Sequence, residues 1–159
     1  MMNLDTLQVK AKEIGQGLES FPEPSIPLDG DSYEFPNNAD NLSDEQLDSW
    51  LMFFGAWRGY VINRIAQAEG ELSLLGEGFD LMMASKSADF EAVATKRLLK
   101  ESLRGTILNE NSDLLSLNKK IMVLKAELKV LKGRLSLYDV QFEAISRVIT
   151  RRGQERQRA

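Results

Sequence analysis

Lys96, Arg97, Lys100 and Arg104 are the residues whose types and spacing point most directly to chemistry. On a helix, Lys96, Lys100 and Arg104 fall one turn apart on a single face, with Arg97 beside it. Only Glu101 opposes them within the run. A nearly one-signed stripe of this kind can track a phosphate backbone by charge, without sequence preference. The competing reading is a solvated helix surface. The stretch from Arg147 to Ala159 carries Arg147, Arg151, Arg152, Arg156 and Arg158 against one acid, Glu155. Arg151 and Arg152 are therefore expected as secondary contacts to the same strand. Trp50, Trp57 and Tyr60 have faces on which bases could stack, but their helical spacing with Phe54 favours a place in the core.

Other chemistries are absent from the pattern. The chain has no cysteine and no histidine. That excludes disulfides, Cys/His zinc centres, thiol nucleophiles and every His-dependent triad. Carboxylates cluster at Asp44/Glu45/Asp48 and at Glu69/Glu71, but neither cluster is spaced with a base or a metal partner. Gly76-Glu77-Gly78 matches neither a P-loop nor a dinucleotide fingerprint. No catalytic role, cofactor or metal is expected.

Charge is distributed unevenly over the 159 residues, and the net −4 conceals this. Residues 1–49 hold eleven acids and two bases, Lys10 and Lys12, a balance of −9. Residues 50–159 hold 18 bases and 13 acids, a balance of +5. An acidic head and a basic body fit a chain whose body meets a polyanion.

The elements that would carry these residues are helical. Leu114, Leu117, Ile121, Leu124, Leu128, Leu131, Leu135, Tyr138, Phe142, Ile145 and Ile149 recur at alternating steps of three and four. This heptad seam must lie against another helix, and a second copy is the expected partner. Leu117, Ile121, Leu124, Leu128, Leu131, Leu135, Tyr138 and Phe142 are the expected oligomerisation residues. A second strip, Val123, Val130, Leu137 and Ala144, repeats every seven residues beyond the column of Lys120, Glu127 and Arg134. Two strips suit a helix set between two others, in a bundle or a ring of subunits. One wide face in a monomeric hairpin is the alternative.

Upstream, Leu4, Leu7, Ile14 and Leu18 predict a short amphipathic helix over residues 3–18. All four prolines, Pro22, Pro24, Pro27 and Pro36, lie between Ser20 and Asn41. Proline at that density breaks helices, so residues 1–41 are expected to form an acidic segment and linker outside the folded core. Its isolated apolar residues, Phe21, Ile26, Leu28, Tyr33 and Phe35, are either docking anchors or parts of a tether. Ser43-Asp44-Glu45-Gln46 reads as a capping box, with Leu42 and Leu47 as its hydrophobic staple. The long helix it opens contains Gly55, Gly59 and Gly70, which close helix approach would explain. A helical stretch over Leu81–Ile107 follows, then a polar turn and cap at Asn109-Glu110-Asn111-Ser112-Asp113. Two antiparallel arms are expected, joined by this turn or near Ser85–Ala88. No run alternates as a strand does. The expected class is all-α, with residues 42–159 as one helical oligomerisation and DNA-binding domain. No apolar run is long enough to span a membrane. Met1-Met2-Asn3-Leu4-Asp5 lacks the pattern of a secretion signal, so a cytoplasmic protein is expected.

From Leu47 to Arg152 the layout resembles phage recombination mediators of the UvsY type. The aromatic opening is Trp50-Leu51-x-x-x-Gly55-Ala56-Trp57-Arg58-x-Tyr60 and the basic middle Lys96-Arg97-Leu98. The closing helix runs from Leu137-Tyr138-Asp139 through Ile145-Ser146-Arg147 to Thr150-Arg151-Arg152. The family's Lys-x-Arg-Leu motif appears here without its intervening residue, and the proline-bearing acidic head departs from its simplest members. The resemblance implies an all-helical protein that forms rings through its C-terminal helices and binds single-stranded DNA. It further implies a role in loading a RecA-class recombinase onto strands covered by single-strand binding protein, in the host cytoplasm if the source is a phage. A coiled-coil scaffold or adaptor with no nucleic-acid role is the alternative.

Overall fold

The computed structural model describes residues 4–17, 35–36, 38–93 and 99–158. They form four α-helices: α1 (Leu4–Gly17), α2 (Asp44–Val93), α3 (Lys100–Glu110) and α4 (Ser112–Arg158). A single 3-10 turn, Ala39–Asn41, precedes α2. No strand occurs among the described residues, as the sequence predicts. The expected helical stretch over 81–107 is divided between α2 and α3. Ser85–Ala88 lies inside α2, so no turn forms there.

Local chemistry sets the helix starts. The Ser43 hydroxyl accepts from the Gln46 amide at 3.2 Å, and the Gln46 side chain accepts from the Ser43 amide at 2.9 Å. The two bonds satisfy donors that a helix leaves open at its first turn. At α4 the Asn111 side chain accepts from the Leu114 amide at 3.1 Å, which ends α3 and starts α4 within one residue.

Packing divides the chain into two compact units: residues 1–20 with 66–129, and residues 21–65 with 130–159. The division does not fall at residue 41. In the first unit, Leu7 and Ala11 of α1 are fully buried with Leu75 and Phe79 of α2, Leu103 and Ile107 of α3, and Leu114, Leu117, Ile121 and Leu124 of α4. α1, expected outside the folded core, is thus part of it. Proline is confined to residues 22–36, and the apolar face of α1 gains about 1.5–3 kcal/mol for a fully buried leucine. Gly78 is where close approach requires glycine, because a Cβ there would collide with the Leu7 side chain. At Gly55 a Cβ would meet open space, so close approach does not explain that residue.

The second unit is built on aromatic residues. Trp50, Phe53 and Phe54 of α2 are buried with Leu47, Val61, Tyr138, Ile145 and Val148. Phe35 packs edge-on to Trp50 with ring centroids 5.6 Å apart. Within this unit α2 and α4 run antiparallel: Asp44 meets Arg152 at 2.8 Å, and Arg58 meets Asp139 at 2.7 Å.

The heptad seam is covered by the chain's own helices. Leu117, Ile121 and Leu124 lie in the first core, and Leu131, Leu135, Tyr138 and Phe142 pack in the second. Leu128 is buried as well. The periodicity shows that the helix needs a partner but does not say whose helix that is. The second strip is different, since Val123, Val130 and Leu137 remain 65%, 64% and 50% exposed.

Candidate nucleic-acid interface

Lys100 opens α3 and Arg104 stands one turn later. The buried Leu103 and Ile107 anchor the helix, so the two cations flank its apolar stripe and are exposed. The Arg104 guanidinium lies 5.3 Å from the centroid of the Phe79 ring, a cation–π contact at an exposed side chain. Neither residue forms an ion pair among the described residues. Lys96 and Arg97, the other half of the predicted stripe, lie outside the described residues.

Arg151 and Arg152 lie on α4 in the second unit, and acids hold both. Arg152 donates to Asp44 at 2.8 Å and to the backbone carbonyls of Asp40 and Leu42 at 2.7 Å each. Arg151 pairs with Asp40 and lies 3.8 Å from Glu155. Arg156, one turn beyond Arg152, also pairs with Asp44. Hydrogen bonds from Arg156 and then Arg152 hold the Asp44 carboxyl below its ordinary value of 3.8. The same contact raises the Arg156 guanidinium above its usual range. Exposure separates the three arginines, with side chains 54%, 23% and 70% accessible for Arg151, Arg152 and Arg156. Arg152 fastens the chain before α2, while Arg151 and Arg156 present donors at the surface.

A shallow depression of about 530 Å³ follows the same helix, lined by Phe142, Ser146, Arg147, Thr150, Arg151 and Gln154 among others. Arg147 and Arg151 stand one turn apart along it, the geometry for successive phosphates of one strand. Arg147 is 81% exposed and pairs with its helical neighbour Glu143 at 3.3 Å. The aromatic opening of α2 is turned mostly into the core, with Trp57 and Tyr60 half-buried. Trp50, Phe53 and Phe54 are buried, and Trp57 packs edge-on to Tyr60 at 5.7 Å.

No family model, curated protein or solved structure matches the chain.

The chemistry of the site therefore rests on its own residues. Among the described residues no group of acids could hold a metal ion, and no helix is long and apolar enough to cross a membrane. Composition had marked the arginine-rich end of α4, but not that Asp40 and Asp44 close on it. Those partners are 108 to 112 residues away, and no local pattern joins them.

Proposed function

We propose that this protein is a recombination mediator without enzymatic activity. It would bind single-stranded DNA as an oligomer and assist a RecA-class recombinase onto strands covered by single-strand binding protein, in the cytoplasm. The observation that carries the reading is the pair Lys100 and Arg104: two exposed cations one turn apart, with no carboxylate partner among the described residues. They continue the basic run that starts at Lys96. Contacts of this kind release counterions and do not read bases, so the affinity is general and falls with salt. Repetition of a weak site in an oligomer multiplies it through effective concentration. On α4, Asp40 and Asp44 occupy the positions that phosphates would take on Arg151 and Arg156. A strand that reaches Arg151 and Arg156 competes with these acids for them.

The exposed apolar strip of α4 favours a second reading, a coiled-coil scaffold or adaptor whose cations only keep it in solution. Retention on immobilised single-stranded DNA at low salt, lost at high salt, separates the two. A mediator shows both behaviours and a scaffold neither.

A further inference from the structure

On α4 of the second unit, Val130, Leu137 and Val140 are 64%, 50% and 67% exposed. With Gly133 and Ala144 they recur at steps of three, four, three and four. That is the spacing of a coiled-coil seam, on the side of the helix turned away from Tyr138 and Ile145. The buried seam already serves the chain's own core, and this second one is left exposed by the described residues.

We propose that this strip docks on the same strip of a second copy of the chain, with the two helices antiparallel. Size and charge both select that occupant. With the two-fold axis beside residue 135, Leu137 of each copy stands over Gly133 of the other, and Val130 stands over Val140. The largest side chain fills the gap left by the absent one, so each layer packs without a void. At the edges, Lys129 of each copy faces Glu143 of the other, giving two opposite-charge pairs. Arg134, nearest the axis, meets its own copy and extends its guanidinium to solvent along its aliphatic stem. A parallel, in-register pair is worse on both counts. It stacks Gly133 on Gly133 and brings Lys129 beside Arg134. The strip spans about 22 Å at 1.5 Å per residue, so the contact is small and forms and dissolves with concentration.

This interface deepens the oligomeric part of the DNA-binding reading, but it is tested without nucleic acid, so the two fail separately. Sedimentation of the full chain at rising concentration is expected to show mass climbing from one chain of 17.9 kDa toward two. Val130→Glu with Leu137→Glu changes only exposed positions, and this variant is expected to keep its helicity and melting temperature and remain a single chain. The chain has no cysteine, so introduced ones report orientation. Val130→Cys with Val140→Cys is expected to link two copies on oxidation, whereas Val140→Cys alone does not. A mass fixed at one chain, association undiminished in the glutamate variant, or equal linking by Val140→Cys alone would overturn the proposal.

Discussion

The Arg152 guanidinium meets the Asp44 carboxylate at 2.8 Å while also donating to the carbonyls of Asp40 and Leu42. One side chain near the end of α4 thus fixes the chain entering α2. Its neighbour Arg151 pairs with the side chains of Asp40 and Glu155, and its own side chain is 54% exposed. Arg152→Ala is expected to destabilise the second unit by about 1–3 kcal/mol, since charged hydrogen bonds disappear and carbonyls are left unpaired. Arg151→Ala is expected to leave the melting temperature within error and to weaken DNA binding. Thermal denaturation and oligonucleotide titration of the two variants check this, and an equal loss of stability in both would show no division of labour.

Acid is expected to loosen the same clasp. The folded-state pKa of Asp44 is lowered, so its contribution to stability is present above the ordinary carboxylate value. That contribution is lost as pH falls through the lowered folded value. Wild-type stability is therefore expected to drop as pH falls below about 4, and Asp44→Asn is expected to flatten that limb while lowering stability at neutral pH. Denaturant unfolding at a series of pH values measures both effects. An unchanged acid limb in Asp44→Asn would assign the transition to other carboxylates.

Leu7 is fully buried against α2, α3 and α4 in the first unit. Leu7→Ala is expected to cost about 2–5 kcal/mol, the range for a buried leucine. Deletion of residues 1–20 is expected to lower the melting temperature of the remainder. Calorimetry checks both, and a deletion variant as stable as the full chain would return the head of the chain to the role of a tether.

Gly55 and Gly78 of α2 are expected to respond with opposite signs. Gly55→Ala gains about 1 kcal/mol from helix propensity, because its Cβ enters open space. Gly78→Ala loses about 1 kcal/mol or more, because its Cβ drives into Leu7 in a packed core. Paired denaturation curves decide, and a gain at Gly78 would mean that Leu7 repacks freely.

Local chemistry was legible in the sequence. The Ser43–Gln46 capping box, the Asn111 cap and the seam from Leu114 to Ile149 all follow from neighbours within a turn or a heptad, and each is found in the structure. What was not legible depends on distant residues. An apolar stripe fixes the face a helix buries but not the chain that covers it, so the spacing put Leu124 and Leu131 between copies, while the structure packs them in the chain's own cores. The apolar face of α1 was legible, but the acidic and proline-bearing composition around it placed the helix outside the core that it joins. The meeting of Arg152 with Asp44 depends on the path of the chain between them, and residue types alone carry no trace of it. Of the candidate site, Lys100 and Arg104 stand where their spacing placed them, exposed on one helix. Arg152, expected as a secondary contact, fastens the chain entering α2.

The central claim is that the basic run binds single-stranded nucleic acid by charge. The most direct test is fluorescence anisotropy of a labelled oligothymidylate, titrated with the full chain across a series of salt concentrations. The wild type is expected to bind at low salt and release as salt rises. Lys100→Ala with Arg104→Ala should bind more weakly, with a logarithmic salt slope shallower by about 1.4, roughly 0.7 for each phosphate no longer neutralised. Failure of the wild type to bind at the lowest salt, or a double variant with wild-type affinity and slope, would contradict the account.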